Sequence, residues 1–257
     1  MWAAAIVIGG IVLAGAATQS PLFDIDEVRV VGAQDLPLDE IRQVAAVEIG
    51  RPVLGFDSAE IERRLRAIPA VADAAVSADW NGVATIEVRE RLATARVATP
   101  EGVIVIADDR IVIDLIRPEP TIALGTDENG EPVPVTPSQS LPDVELSPRI
   151  EGLIEIEGAM FSIDPGQHVP DVLTDAVALA SELPDDIGVV VEQIEITVDS
   201  LVLRTVGGAT VSVGDARDLD AKFAAVRAFL AQVDLSCMKT LNVRAPSVPV
   251  LERHEGC

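Results

Sequence analysis

Apolar and polar positions along the chain change period several times, and each change predicts an element. Residues 25–31, IDEVRVV, read as a short strand closed by Gly32. After Pro37, Leu38, Ile41, Val44 and Ala45 recur at helical spacing in LDEIRQVAAVEIG, and Gly50 supplies a stop. A second helix is predicted in FDSAEIERRLRAIP. Asp57 is its N-cap and Glu60 the capping-box partner; Ile61, Leu65 and Ile68 form one stripe, and Pro69 ends it. Val71, Ala74 and Val76 predict a strand that runs to a turn at Asn81-Gly82. In VATIEVRER, Ala84, Ile86 and Val88 take one face, and Thr85, Glu87 and Arg89 the other. The order β-α-α-β-β predicts a small α+β sandwich, three strands with both helices on one face.

Further along, VIVIADDRIVIDLI (103–116) reads as a hairpin around Ala107-Asp108-Asp109-Arg110. Residues 117–149 hold seven prolines (118, 120, 132, 134, 137, 142 and 148), a composition that predicts an exposed, mobile loop. DVLTDAVALASELP (171–184) places Val172, Ala176, Leu179, Ala180 and Leu183 along one helical stripe, and 189–198 read as a strand. SLVLRTVGGATVSVGD predicts a hairpin in which Leu201, Leu203, Val211 and Val213 face inward around a two-residue turn, Gly207-Gly208. A helix is predicted over about 217–233, with Leu219, Phe223, Val226 and Leu230 on one face. In KTLNVRAP a last strand ends at Pro246, with Leu241 and Val243 facing one way, Asn242 and Arg244 the other.

The first 23 residues carry no charged side chain, and WAAAIVIGGIVLAGAAT within them approaches the ~20 apolar residues that cross a bilayer as a helix. Every charge lies after this run, and its flank, FDIDE, lacks the Lys/Arg cluster of a cytoplasmic face. The run reads as an anchor with its N-terminus in the cytoplasm. A cleaved signal peptide, with Ala14-Gly15-Ala16 as its cleavage site, is the alternative, although no basic n-region precedes it. Both readings export the body.

The chain of 257 residues carries a formal net charge of −23, which argues against nucleic acid and anionic surfaces as partners. Two cysteines exclude a disulfide-rich scaffold, and with two histidines they leave little for a zinc site. His168 lies among turn residues, His254 in the tail, and neither accompanies a nucleophile motif. Asp108-Asp109 suits a turn better than acid–base or metal chemistry. No enzyme, cofactor or small-molecule substrate is indicated; abundant carboxylates alone aim at nothing.

An apolar run followed by F-x-I-x-x-V-x-V-x-G (Phe23, Ile25, Val28, Val30, Gly32) resembles the opening of a POTRA domain. Asp57, Ile61, Leu65, Ile68, Pro69 and Val71 continue that pattern, and the strand ending Val88 to Arg91, then Ala93 and Ala95, is similar to its close in the FtsQ/DivIB cell-division family. Asn81-Gly82 after Trp80 departs from it, where the family usually has a proline. V-S-V-G-D, Lys222 and N-V-R-x-P resemble the end of that family's β-domain. The resemblance implies an anchor over 1–20 that meets the bilayer through residues 2–18, and a POTRA domain over 21–97. A β-rich domain with flanking helices, including the loop at 117–149, then fills 98–251, and 252–257 form a tail.

It also implies a non-enzymatic scaffold of the division complex, in the plasma membrane at the septum with its body outside the cytoplasm. The implied partners are FtsB-like and FtsL-like single-pass proteins. They would dock in part by strand addition at the last strand, on Leu241, Asn242, Val243, Arg244 and Ala245, with Lys222 in the preceding helix. Val83 to Arg91 offers a second candidate edge. A POTRA-bearing component of protein transport or outer-membrane assembly is the alternative class, though it usually ends in a long barrel; an exported wall-modifying enzyme is a third.

Overall fold

The computed structural model describes residues 24–117, 124–126, 132–134, 146–158, 161–198 and 200–256. The anchor assigned to 1–20 and most of the proline-rich stretch lie outside the described residues. No helix among the described residues is long and apolar enough to cross a membrane. The chain divides into two units at Arg91/Leu92.

The first unit runs β1 (Glu27–Val31), α1 (Leu38–Ala45), α2 (Ser58–Arg66), β2 (Val71–Ala78) and β3 (Val83–Glu90). These are the elements that the sequence predicts. Helix α2 is capped by Asp57, whose side chain accepts from the Glu60 N–H at 3.1 Å. Glu60 does not complete the capping box, because its carboxylate pairs with Arg63. Helix α1 stops earlier than Gly50: Ala46 adopts the left-handed conformation (φ 47°), and its N–H bonds the Arg42 carbonyl. Ile41, Ala45, Ile61 and Leu65 from the helices meet Val71, Ala74, Val76, Ile86 and Val88 from the strands in one core. Each Val, Leu or Ile among them contributes about 1.5–3 kcal/mol on full burial.

Gly32 ends β1 at φ +87°, where a Cβ would stand 2.1 Å from the Val88 carbonyl oxygen, so the sheet closes only over a glycine. The β2–β3 turn is held by the Asp79 carboxylate, which accepts from the N–H groups of Asn81 (2.9 Å) and Val83 (3.1 Å). These hydrogen bonds, that from Val83 foremost, hold Asp79 below the usual carboxylate pKa.

The second unit is built on one nine-stranded sheet. Its strands are β4 (Ala93–Thr99), β5 (Gly102–Ala107), β6 (Val112–Ile116), β9 (Ile154–Glu157), β10 (Val191–Thr197), β11 (Ser200–Thr205), β12 (Thr210–Gly214), β13 (Met238–Asn242) and β14 (Val250–Arg253). Their order is β14-β13-β12-β11-β10-β9-β4-β5-β6. The strands β7 (Leu124–Thr126) and β8 (Pro132–Pro134) pair separately within the proline-rich stretch, ahead of the short α3 (Pro148–Glu151). Helices α4 (Asp171–Glu182), α5 (Asp185–Gly188) and α6 (Leu219–Leu230) supply apolar side chains to the same core, among them Leu173, Leu179, Ile187, Phe223 and Val226.

Four features depart from the sequence reading. The boundary expected at 97 falls inside β4: only Arg91 and Leu92 separate it from β3, and the β-pattern runs on without a turn signal. The buried stripe of α4 passes through Leu173 and Val177, while Val172 is exposed. The turn between β11 and β12 has three residues, Val206 to Gly208, closed by Thr205 N–H to Ala209 carbonyl and Gly208 N–H to Thr205 carbonyl bonds, with Gly208 at φ +79°. Finally, β9 and β14 have no counterpart in the sequence reading.

Candidate partner-docking surface

Strand β13 carries Leu241 and Asn242 of the residues expected to receive a partner strand, with Val243 to Ala245 just beyond it, and it is not at the rim of the sheet. Thr210, Val211 and Ser212 of β12 pair with Thr240, Leu241 and Asn242 in parallel. On the other side Thr240, Leu241 and Asn242 pair antiparallel with Glu252, Leu251 and Val250 of β14. Leu241 and Asn242 therefore lie between two strands rather than at an edge. The strand ends at Asn242, four residues ahead of Pro246. Pro246 instead belongs to a turn in which the Val248 N–H bonds the Ala245 carbonyl, and the chain then returns as β14. The His254 N–H reaches the Cys237 carbonyl at 3.1 Å, and Cys237 is itself disulfide-bonded. Lys239 and Thr240 both reach the Glu252 carboxylate, and the Lys239 ammonium holds it below its usual pKa.

The alternation expected in this segment holds: Leu241 and Val243 are fully buried, whereas Asn242, Arg244 and Ala245 are exposed. Arg244 crosses Gly214, where a Cβ would meet its Cγ at 3.0 Å, and its Nε lies 3.3 Å from the Ser200 hydroxyl. Its N–H bonds the Asn242 side-chain carbonyl at 3.1 Å. The Arg244 stem thus crosses the end of β12 towards the start of β11, on the side of β13 away from β14. Lys222 behaves otherwise. It is 3 % exposed, and its ammonium donates to the Asp215 carbonyl (2.8 Å) and carboxylate (2.9 Å). That hydrogen bond is the main reason Asp215 lies below the usual carboxylate pKa.

The outward rim at this end of the sheet belongs to β14, where Val250 is 61 % exposed and no further strand follows among the described residues. At the opposite end β6 is partly covered: the Val112 N–H bonds the Gln167 carbonyl, the Gly166 N–H bonds the Val112 carbonyl, and the Leu115 N–H is taken by the Asp114 carboxylate. In the first unit, the order β1-β3-β2 makes β3 central, so Val83 to Arg91 is not an edge either. Its position follows from β1, which pairs with β3 in parallel through the α1–α2 crossover. The edges are β1 and β2, and β2 is occupied by α2 side chains: Arg66 donates to the Ala74 carbonyl at 2.6 Å, and Glu62 accepts from the Val76 N–H at 3.0 Å.

Residues that invite a catalytic reading take part in turns. Asp108 accepts from the Asp109 N–H, Asp109 accepts from the Ile111 N–H, and His168 forms a β-bridge with Ile111. Among the described residues no group of three or more His, Cys, Asp or Glu could hold a metal ion. The sequence reading missed Val250 to Arg253. Its available signal was the pair Pro246 and Pro249, which bracket a turn before a second short β-run.

A three-stranded sheet in the order β1-β3-β2 with both helices between β1 and β2 is the arrangement of a POTRA domain, and residues 23–91 match the family model "POTRA domain, FtsQ-type". The chain is similar to "Cell division protein FtsQ" of Streptomyces bingchenggensis (strain BCW-1), 24 % identical over 229 residues that cover 88 % of this chain and 75 % of that protein. It is also similar to the protein of the same name from Mycolicibacterium smegmatis (strain ATCC 700084 / mc(2)155), 28 % identical over 102 residues, 40 % of this chain and 31 % of that one. Residues 23–91 are thus an FtsQ-type POTRA domain, and the chain around them is similar to FtsQ cell-division proteins.

Proposed function

We propose that this chain is a membrane-anchored, non-enzymatic scaffold of the bacterial division complex, which holds FtsB-like and FtsL-like single-pass partners at the septum. The observation that carries the reading is the FtsQ-type POTRA domain at residues 23–91, within a similarity to a cell-division protein that spans 88 % of the chain. Residues 2–18 serve as the anchor and the charged body lies outside the cytoplasm, in keeping with the uncharged run and its acidic flank. Confining the chain and its partners to one membrane raises their effective concentration, and backbone pairing supplies register. The rim that fits strand addition is β14, Val250–Arg253; Leu241 and Val243 serve the core beneath, and Arg244, reaching across β12, offers a charge for a partner carboxylate on that side of the sheet.

A fluorescent fusion to the full chain, imaged in dividing cells, tests the reading. Recruitment to mid-cell, together with co-purification of single-pass division proteins from solubilised membranes, is the expected result. An even peripheral distribution with transport components in the eluate would reject it.

A further inference from the structure

The chain joins the first unit at Asp24, which forms a β-bridge with Pro52; the Ile25 N–H bonds the Arg51 carbonyl, and the Gly50 N–H bonds the Ile25 carbonyl, both at 2.8 Å. The loop from Ala46 to Asp57 is therefore fastened beside that point. The β2–β3 turn is fastened there too, because the Gly82 carbonyl accepts from the N–H groups of Asp26 (2.8 Å) and Glu27 (3.1 Å). These two loops carry Ile49, Leu54 and Trp80, which are 68 %, 57 % and 64 % exposed. They are the most exposed large hydrophobic residues described in this unit; the others, Val31 and Leu38, are 40 % and 44 % exposed. Arg51, next to Ile49, forms an ion pair with Glu48 at 3.2 Å, which offsets charge within the same loop.

Chain length fixes how far this rim can lie from the apolar run. Thr18, its last residue, and Asp24 are six residues apart, which span at most about 22 Å. We infer that Ile49, Leu54 and Trp80 form an apolar rim that seats the POTRA unit on the outer surface of the bilayer, in the interfacial layer of neutral lipid. The inference rests on the anchor reading of residues 2–18. An indole suits this layer because its ring is apolar and its N–H stays hydrated. With a net charge of −23, attraction to anionic headgroups is no driving force, so burial of apolar surface must supply the contact. The rim would limit the tilt of the POTRA unit at the membrane, which a flexible tether alone leaves free.

The two tryptophans of the chain, Trp2 and Trp80, separate this inference from the anchor on which it rests. The full chain is reconstituted in phosphatidylcholine vesicles whose acyl chains carry bromine either near the headgroup or near the bilayer centre, and tryptophan emission is compared with unbrominated vesicles. Trp80→Phe leaves Trp2 to report the anchor; Trp2→Phe leaves Trp80 to report the rim. The expected result is quenching of both, with Trp80 emission reduced roughly twofold by the shallow bromine and less by the deep one, as for an interfacial residue. Adding Ile49→Ser and Leu54→Ser to the Trp2→Phe chain should abolish most of that quenching, while circular dichroism stays unchanged. Quenched Trp2 with unquenched Trp80 would overturn the inference and leave the anchor standing, with the rim then open to a protein partner. If Trp2 is unquenched as well, the anchor reading itself fails.

Discussion

Lys222 and Arg244 both stand near the end of the second unit's sheet, and their surroundings give them opposite roles. The Lys222 ammonium is buried and spends two hydrogen bonds on Asp215, which closes the turn ahead of α6. Lys222→Met keeps the apolar stem and removes the donor, leaving the Asp215 carbonyl without that bond. The expected loss is about 1–2 kcal/mol of stability at pH 7, measured by denaturant unfolding, with partner capture by the folded protein unchanged. The sign of its pH dependence follows from Asp215, whose pKa is lowered below the ordinary 3.8 by the Lys222 hydrogen bond. A lowered carboxylate contributes stability above its unfolded pKa and loses it as pH falls through the folded one. The gap between wild type and Lys222→Met should accordingly narrow below about pH 4. Arg244→Glu inverts an exposed charge on a propped stem. It should weaken capture of division partners roughly tenfold, about 1.4 kcal/mol, with Tm nearly unchanged; equal capture would move the docking surface elsewhere.

At the scale of elements, much of the fold is legible in the sequence wherever periodicity and punctuation agree. Asp57 and Pro69 bracket α2, Asp79 and Gly82 turn β2 into β3, and Leu201, Leu203, Val211 and Val213 mark the inward face of a hairpin. Strand order is less legible, because pairing is set by packing rather than by chain order. β3 follows β2 in sequence and reads as an edge, yet the parallel partner β1 places it in the centre. Strand β9, four residues long, carries too few alternations to be read, although it links two parallel pairs in the middle of the second sheet. Strand β14 is as short, and it displaces the candidate rim: Leu241 and Asn242 lie in the second row, and the rim moves outward by one strand. A pair of substitutions tests that displacement. Successive residues of a strand direct their N–H groups to opposite sides, so of Leu251→Pro and Glu252→Pro one removes a donor to β13 and the other a donor to the rim. Thermal unfolding should identify the first as the destabilised variant, and the second should keep its Tm while losing partner capture. Undiminished capture by both would exclude strand addition at β14.

At the scale of the molecule, 42 acidic residues against 19 basic ones set a field that no individual ion pair corrects. Most ion pairs described are exposed, such as Arg29–Glu27 and Lys239–Glu252, where each partner's side chain is more than half exposed, and such pairs contribute little. Net repulsion, by contrast, acts between all the remaining carboxylates at once and opposes the compact state. Salt separates the two effects. Raising ionic strength from about 0.01 M to about 0.5 M shortens the screening length from about 30 Å to a few ångströms, which removes long-range repulsion while short contacts keep part of their attraction. Repulsion is the larger quantity here, so Tm at pH 7 should rise with sodium chloride over this range. The same field bears on the membrane. Vesicles enriched in anionic lipid should hold the rim of Ile49, Leu54 and Trp80 less closely than neutral ones at low salt, and added salt should remove the difference. A Tm that falls with salt would mean that local ion pairs outweigh the net charge, and the contrast between anionic and neutral lipid would then lose its cause.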